Sequence, residues 1–376
     1  MHIAVLLEKR AGDQRVAATP DTVRKIIALG HTIAIEAGAG VRAGVRDEDY
    51  AAAGARVGPS TAATLAGAHL ILKVRAPDAA EIGAYPRGAA FAGLLEPHAA
   101  RTEAQAYAAA GLIAFAMEFV PRITRAQTMD ALSSQANLAG YRAVIEGANL
   151  YGRVMPMMMT AAGTVAAAKV FVMGAGVAGL QAIATARRLG GIVSATDVRP
   201  ASKEQVASLG AKFIAVEDEE FKAAETAAGY AKPMSPEYQA KQAELVAAHI
   251  VKQDIVVTTA LIPGRAAPVL VTEAMVRSMR PGSVVVDLAV SQGGNCPLSK
   301  PDQVVDVNGV KVMGFSNLPS HVAADASALY AKNLLAFLPL LTGEDKSFAP
   351  KWEDEIVKAA VLTRDGQVVH AALQGA

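Results

Sequence analysis

Short apolar runs alternate with helix-like segments along the first third of the chain. The runs that predict strands are residues 2–7, 32–36, 69–74, 89–95 and 113–116. Between them, residues 19–29 and 102–110 carry apolar side chains at helical spacing. Thr19, Pro20 and Asp21 supply the N-cap, first-turn proline and acidic residue typical of a helix start. This alternation predicts a parallel sheet with right-handed crossover helices.

A long stretch of small and apolar residues separates this first sheet from a second one. Residues 126–148 repeat such side chains at intervals of three and four, with Gly140 as the weak point, and predict a long helix joining two domains. Further strands are predicted around Val170, Ile192, Phe213, Ile255, Val284 and Val312. A last helical pattern, 323–338, either leads the chain back to the first domain or forms a plain C-terminal helix.

The second sheet opens with a glycine-rich turn between a predicted strand and a predicted helix. After the apolar run 169–173, the turn consists of Gly174, Ala175, Gly176, Val177, Ala178 and Gly179. The first glycine permits a tight bend, the second lets the backbone approach a pyrophosphate, and the third lets the helix pack on the strand. The N-terminus of the helix then faces the phosphates with free N–H groups and a partial positive charge. The pattern predicts a dinucleotide-binding loop.

The next predicted strand, 191–196, ends at the acidic residue Asp197. A carboxylate at this place accepts hydrogen bonds from the adenosine ribose and repels a 2′-phosphate, so it favours NAD(H) over NADP(H). Arg199 carries the charge to pair with a 2′-phosphate, but the nearer carboxylate opposes this pairing. We therefore interpret Arg199 as a solvated or adenine-stacking side chain.

Composition and charge narrow the function classes. The single cysteine, Cys296, excludes an internal disulfide framework and suits a reducing compartment. A net charge of +1, with both signs well mixed, provides no basic block for nucleic acid. The seven histidines show no metal-ligand spacing, and no metal is expected. No run of about 18 uncharged apolar residues predicts a membrane span, and the N-terminus lacks the features of a signal peptide.

Together these patterns predict an α/β protein with two doubly wound domains. A Rossmann NAD-binding domain, residues 134–318, is inserted in a Rossmann- or flavodoxin-like domain formed by residues 1–133 and 319–376. Within the inserted domain, residues 217–234 show little periodicity and contain one large side chain, Tyr230. Long irregular segments inside a regular domain are usually functional lids or disordered.

Three segments resemble one protein family closely. They are residues 121–142 (PRITRAQTMDALSSQANLAGYR), 224–232 (AETAAGYAK) and 286–298 (VDLAVSQGGNCPL). These segments are similar to those of the NAD(H)-binding subunits of proton-translocating nicotinamide nucleotide transhydrogenases, which are related to alanine dehydrogenases. The likeness covers nearly the whole chain, from residues 15–20 to residues 364–366.

The resemblance implies a set of site residues. In that family an Arg, a Gln, an Asp and a nearby Ser hold the nicotinamide end of NAD(H), and they are matched here by Arg122, Gln127, Asp130 and Ser133. Their polar groups would keep the ring from rotating away from its partner. Without the resemblance, the same residues favour an interdomain salt bridge and a helix start. A tyrosine that folds over bound nucleotide is matched by Tyr230. Besides the turn 174–179, the cofactor-binding positions are Asp197, Val198, Arg199, Gly229, Tyr230, Ala260 and Leu261.

Acid–base groups distinguish the two kinds of relative. Oxidation of an amino acid removes a proton as well as a hydride. Alanine dehydrogenases have a His and an Asp at positions that match Leu95 and Ser291, although His98 lies close to the first position. Arg15 and Lys73 match substrate-binding positions of alanine dehydrogenases, and we interpret both as structural ion-pair residues. Hydride transfer between two nicotinamides instead requires proximity, alignment and dryness.

The resemblance thus implies hydride transfer from NADH on this chain to NADP⁺ on a partner subunit, coupled to proton movement through a membrane-spanning subunit. It also implies a homodimer at the inner face of a bacterial cytoplasmic membrane, and the mixed charge predicts no nucleic-acid partner. Two alternatives stay open, because fold alone does not determine function. One is an alanine-dehydrogenase-like oxidoreductase of free amino or keto acids, and the other is an NAD-sensing binding module.

Overall fold

The structure is a computed structural model that describes residues 1–223, 234–262 and 264–374. The chain divides into two compact units: Met1–Gln135 with Pro319–Ala376, and Ala136–Leu318. Each unit is built on one large sheet, and the second unit also contains a separate two-stranded hairpin.

The strands of the first unit are β1 His2–Val5, β2 Thr32–Glu36, β3 Arg56–Gly58, β4 Leu70–Arg75, β5 Ala90–Leu94 and β6 Ile113–Ala116. Those of the second unit are β7 Met158–Thr160, β8 Gly163–Val165, β9 Lys169–Met173, β10 Ile192–Thr196, β11 Lys212–Phe213, β12 Ile255–Thr258, β13 Val284–Asp287, β14 Val304–Val307 and β15 Val310–Met313. The last two strands, β16 Val361–Arg364 and β17 Gln367–Val368, belong to the first unit again.

The described helices are α1 Pro20–Ala28, α2 Asp47–Ala52, α3 Thr61–Leu65, α4 Ala79–Ala84, α5 Arg101–Ala109, α6 Ala131–Tyr151, α7 Val177–Arg188, α8 Ser202–Ser208, α9 Glu219–Lys222, α10 Pro236–Ile250, α11 Glu273–Ser278, α12 Ala323–Phe337, α13 Glu355–Ala360 and α14 Ala371–Gln374. A 3-10 helix, Thr124–Met129, precedes α6.

Both sheets are doubly wound. The first has the order β17-β16-β6-β5-β4-β1-β2-β3, and all its neighbours from β6 to β3 are parallel. The second has the order β11-β10-β9-β12-β13-β15-β14, with one antiparallel pair at β14 and β15. The strand order reverses between β1 and β4 in the first sheet and between β9 and β12 in the second. Doubly wound sheets bind their ligands at such a reversal, beyond the carboxyl ends of the strands. The predicted fold class, two doubly wound α/β domains, is confirmed.

Each sheet is covered by apolar clusters on both faces, as a parallel sheet requires. Alternate residues of β1 belong to different clusters, Val5 to one and Ala4 to the other. The same alternation separates Val172 from Phe171 in β9. Because apolar side chains pack against both faces of the central strands, the ends of these strands are fixed in place, and so are the first residues of the loops that follow them.

The long helix begins later than its periodicity predicts. Residues 126–148 were expected to be helical throughout, but α6 spans Ala131–Tyr151 and the residues before it form the 3-10 helix. The Asp130 carboxylate accepts a hydrogen bond from the Ser133 N–H at 2.8 Å, which is the geometry of an N-cap. The cap sets the helix start, a local effect that apolar spacing alone does not reveal.

Replacing Gly140 by alanine is expected to destabilise the second unit. In α6, a Cβ added at Gly140 would lie 2.0 Å from the carbonyl oxygen of Ala178 in α7. Since the obstacle is backbone, the helices must shift, which costs about 1–3 kcal/mol of unfolding free energy. Thermal unfolding should therefore show a lower midpoint for Gly140→Ala. The matched control is Gly83→Ala in α4, where an added Cβ meets nothing within 4 Å and the midpoint should hold or rise. An unchanged midpoint for Gly140→Ala would contradict the close helix contact.

Candidate functional site

The glycine-rich turn connects β9 to α7 at the carboxyl edge of the second sheet. Gly174 has a φ of +108°, a conformation that side chains rarely adopt. A Cβ at Gly179 would lie 1.8 Å from the Gly174 carbonyl oxygen, so only glycine lets α7 pack this closely. A Cβ at Gly176, by contrast, would meet nothing within 4 Å. The turn thus requires glycine at position 174, and the packing of α7 requires glycine at position 179. Gly176 leaves open space in front of the helix.

The start of α7 has the properties that a dinucleotide requires. Gly176 is the N-cap, and no described side chain caps this end of the helix. The first N–H groups of a helix lack intrahelical acceptors and carry the positive end of its dipole. Three apolar side chains in the loops at this edge of the sheet are exposed: Val177 by 39%, Val198 by 57% and Leu261 by 46%. These residues fit NAD(H), because the N–H groups suit its phosphates and the apolar side chains suit the faces of its rings.

Asp197, directly after β10, has both carboxylate oxygens engaged. Oδ1 accepts hydrogen bonds from the Arg199 N–H at 2.9 Å and Nε at 3.0 Å, and Oδ2 accepts from the Ala175 N–H at 2.7 Å. Burial alone would raise the pKa of Asp197, but the hydrogen bonds from Arg199 and Ala175 outweigh burial and lower this pKa below its usual value. The ionised carboxylate therefore ties the end of β10 to the glycine-rich turn.

We expected Arg199 to be either solvated or stacked on adenine, but the structure shows it bound to Asp197. Its Nε and Nη2 atoms contact the two oxygens of Asp197 at 3.0 and 3.1 Å, and its side chain is 33% exposed. A planar guanidinium two residues from a carboxylate can meet both oxygens when the chain turns between them. Asp197 thereby holds the cation that would otherwise attract a 2′-phosphate.

The loop after β12 packs against the glycine-rich turn. Thr259 Oγ1 donates a hydrogen bond to the Gly174 carbonyl at 3.2 Å. Ala260 is bound on both sides by one side chain: its N–H donates to Asn295 Oδ1 at 3.1 Å, and its carbonyl accepts from Asn295 Nδ2 at 2.9 Å. Sequence reasoning named Ala260 and Leu261 but missed Asn295, although Asn295 lies in the segment 286–298 that carries the resemblance.

Two predicted cofactor-binding positions, Gly229 and Tyr230, lie outside the described residues. The structure therefore does not test them.

The remaining predicted residues lie in the first unit, between β6 and α6. Asp130 and Ser133 contact each other directly, since Asp130 Oδ2 accepts from Ser133 Oγ at 2.6 Å in addition to the N-cap bond. These two residues form the helix start that the structural alternative predicts. Arg122 and Gln127 have exposed side chains. Within the described residues, neither of these two side chains makes a hydrogen bond or ion pair, and both are therefore available to a ligand.

Two residues that sequence reasoning missed anchor this loop. Arg125 forms a bidentate ion pair with Asp354, at 2.8 and 2.9 Å. Asn333 in α12 donates to the Thr128 carbonyl at 2.8 Å and accepts from Ser134 Oγ at 2.8 Å. An asparagine next to the apolar residues of the helical pattern 323–338 was a usable sequence signal for Asn333. No local signal marks Arg125, because its partner lies 229 residues further along the chain.

Arg15 and Lys73 are buried and fully engaged in the first unit. Arg15 binds Asp13 through Nε at 2.9 Å and Nη2 at 2.6 Å, and its Nη1 donates to Gln135. Lys73 Nζ lies 2.8 Å from Glu81 and 3.2 Å from Glu8. Burial alone would lower the pKa of Lys73, but the charges of these two carboxylates outweigh it and raise the pKa. These contacts agree with structural ion-pair roles for both cations.

The two positions that match the acid–base residues of alanine dehydrogenases are Leu95 and Ser291, and neither carries a His or Asp side chain. Leu95 is buried, whereas Ser291 is exposed. The His98 ring packs edge-on against Phe119, with centroids 5.2 Å apart. Over residues 1–223, 234–262 and 264–374, no three His, Cys, Asp or Glu side chains are grouped so that they could hold a metal ion. In the same ranges no helix is both long and apolar enough to cross a membrane.

Comparison with known proteins places this geometry in a family. Family models described as the N-terminal and C-terminal domains of alanine dehydrogenase/PNT match residues 4–139 and 143–371. The chain is 54% identical over 381 aligned residues to the first part of NAD(P) transhydrogenase subunit alpha from Rhodospirillum rubrum. The alignment covers 100% of this chain and 99% of that relative.

Two solved structures agree with the sequence comparison. A transhydrogenase from Sinorhizobium meliloti matches with a TM-score of 0.90 and 55% identity, over 98% of this chain and 100% of that one. An L-alanine dehydrogenase matches with a TM-score of 0.85 and 26% identity, over 100% and 98%. The chain therefore belongs to the alanine dehydrogenase/PNT family.

Proposed function

We propose that this chain is the NAD(H)-binding subunit of a proton-translocating transhydrogenase and that hydride passes between its NADH and NADP⁺ on a partner subunit. The identity of 54% over the whole chain with the Rhodospirillum rubrum transhydrogenase alpha chain carries the proposal. Bound NADH supplies the hydride from its nicotinamide ring. The residues of this chain bind and orient that cofactor.

The second unit holds the phosphates and the adenosine. The uncapped N-terminus of α7 binds the pyrophosphate through backbone N–H groups in the open space beside Gly176. Asp197 accepts from the adenosine ribose, and its charge opposes a 2′-phosphate. This preference keeps the subunit for NAD(H) while the partner holds NADP(H).

The first unit orients the nicotinamide. Arg122 and Gln127 supply hydrogen-bond donors that the described part of the chain leaves uncommitted, and they engage the carboxamide and phosphate oxygens. Arg125, Asn333 and the Asp130 cap hold the loop that carries them. A fixed loop serves hydride transfer, because the rate depends steeply on the alignment of the reacting atoms.

Free amino or keto acids are not the substrates under this proposal. Arg15 is paired with Asp13, and Lys73 with Glu8 and Glu81, all in the buried interior. A substrate carboxylate would have to displace one of these partners, and breaking a buried ion pair costs about 3–5 kcal/mol.

Stopped-flow absorbance tests the function. The chain is mixed with NADH and a purified, NADP⁺-loaded partner subunit, with alanine or pyruvate in place of the partner as the parallel control. We expect rapid NADPH formation that depends on the partner. Turnover with alanine or pyruvate alone would support an amino-acid oxidoreductase instead, and NADH binding without any redox partner would support a sensing module.

The proposed assembly is a homodimer that docks on a membrane-spanning, proton-conducting subunit at the inner face of a bacterial cytoplasmic membrane. The hairpin β7–β8 supports the contact between two copies. The methionines in and beside this hairpin are unusually exposed, with Met159 at 76% and Met157 at 61%. Exposed apolar groups of this kind mark interaction surfaces.

Replacing Met157 and Met159 together by aspartate is expected to shift the chain from dimer to monomer. Desolvating two carboxylates against an apolar surface is unfavourable, so the contact between copies weakens. Sedimentation velocity measures the change. A Val41→Asp variant is the control and should leave the dimer intact, because Val41 is as exposed as Met157, at 61%, but belongs to the first unit. A double variant that sediments like the wild-type dimer would contradict the role of the hairpin.

A further inference from the structure

One buried side chain, that of Asn295, bonds several backbone groups of the loop after β12. Asn295 is fully buried, and its amide contacts three backbone groups. It accepts from the Ala260 N–H and donates to the carbonyls of Ala260 and Pro268, at 3.1, 2.9 and 2.8 Å. The backbone carbonyl of Asn295 also accepts from the N–H groups of Leu270 and Val271, at 2.9 and 3.0 Å. Asn295 thus supplies this loop with hydrogen bonds of the kind that a neighbouring strand supplies within a sheet.

Asn295 is itself held by a buried carboxylate at the end of β13. Asp287 is fully buried, and its Oδ1 accepts from the Asn295 N–H at 3.1 Å and the Ala289 N–H at 2.9 Å. Its Oδ2 accepts from the Cys296 N–H at 3.0 Å and from Ser299 Oγ at 2.6 Å. Such a network of satisfied bonds positions its members tightly, because each buried polar group loses stability if it moves out of reach.

The loop that Asn295 holds faces one half of a bound dinucleotide. A dinucleotide lies across the point where the strand order reverses, here between β9 and β12. Asp197 follows β10, on one side of this point, and serves the adenosine half. The loop after β12 lies on the other side and carries the exposed Leu261. The opposite half of the cofactor therefore meets the loop that Asn295 fixes.

We propose that Asn295 is a positioning residue for the nicotinamide half of NAD(H), acting through the loop Thr259–Ala260–Leu261. The proposal rests on the proposed function, because it presupposes that NAD(H) binds at this edge. Asn295 does not touch the cofactor. It holds Ala260, and through Thr259, which donates to Gly174, it aligns this loop with the glycine-rich turn.

Binding of NADH and of ADP, measured by calorimetry, tests the proposal, because ADP contains the adenosine half without the nicotinamide. For Asn295→Ala we expect NADH affinity to fall about tenfold and ADP affinity to change less than twofold. This loss corresponds to about 1.4 kcal/mol. The matched control is Gln253→Ala at the amino end of β12, where a buried amide binds His249. It should leave both affinities unchanged.

Equal losses for NADH and ADP, no loss at all, or the same selective loss in the Gln253 variant would each overturn the positioning role. Absence of NADH binding by the wild-type chain would instead overturn the proposed function. If Asn295→Ala does not fold, Asn295→Asp serves as the second variant. It keeps an acceptor for the Ala260 N–H but cannot donate to the carbonyls of Ala260 and Pro268, and it should show the same selective loss of NADH affinity. Amide exchange in the wild-type chain needs no variant: the Ala260 N–H should exchange slowly, and fast exchange would overturn the brace.

Discussion

Replacing Arg122 or Gln127 by alanine is expected to slow hydride transfer about a hundredfold while NADH affinity changes less than about threefold. Both side chains are exposed on a loop that other residues hold in place, so their removal leaves the fold intact. Under the proposed function, the phosphates and adenosine of NADH supply much of the affinity and bind at the glycine-rich turn and Asp197. In that proposal the lost groups orient the nicotinamide, and small errors in the placement of reacting atoms reduce a rate by about two orders of magnitude.

Single-turnover stopped flow with the NADP⁺-loaded partner measures the rate, and NADH fluorescence measures the affinity. Arg24→Ala in α1 is the control, since it removes the same charge from an exposed helix position. It should transfer hydride at the wild-type rate. A loss confined to NADH affinity in the Arg122 and Gln127 variants would contradict the orienting role.

Asp197→Asn is expected to raise the ratio of NADPH to NADH affinity about a hundredfold, or about 2.8 kcal/mol. Two effects act in the same direction. The substitution removes a charge that repels a 2′-phosphate, and a unit charge about 4 Å away contributes about 4 kcal/mol near a protein surface. It also removes the carboxylate that binds Arg199 at two atoms, so fewer bonds oppose an approach of the guanidinium to the phosphate.

The double variant Asp197→Asn with Arg199→Ala separates the two effects. If the Arg199 guanidinium contributes to NADPH binding, NADPH affinity in the double variant should fall back toward the wild-type value, and the thermodynamic cycle should show coupling between the two sites. Arg199→Ala alone should not improve NADPH binding, because Asp197 keeps its charge. An unchanged cofactor preference in Asp197→Asn would refute the assignment of Asp197 to the ribose.

The cofactor edge of the second unit was predicted well from local patterns. The order of strand, glycine-rich turn and helix is encoded within about 20 residues, and the structure places Gly174 and Gly179 where their lack of a side chain is required. The resemblance to the transhydrogenase subunits is confirmed by the family match and the 54% identity over the whole chain. The predicted start of α6 was wrong, because the Asp130 N-cap determines where this helix begins and apolar spacing does not.

Residues that support the site were harder to predict. Arg125 and Asp354 lie far apart in the sequence, and Asn295 meets Ala260 only because β12 and β13 are neighbours in the sheet. Arg199 illustrates the same point at short range. Its pairing with Asp197 depends on how the chain turns after β10, which neither residue type determines alone.

The sequence by itself determined the two doubly wound sheets and the order of strand, glycine-rich turn and helix at the start of the second, because apolar periodicity and glycine requirements act locally. Only the tertiary structure decided which polar side chains are engaged in structure and which are exposed. Arg15, Lys73, Arg125 and Arg199 have carboxylate partners, whereas Arg122 and Gln127 are left uncommitted by the described residues. The reason is physical: whether a charged group can serve a ligand depends on the partners that the fold brings within hydrogen-bond distance, and most of these lie elsewhere in the chain.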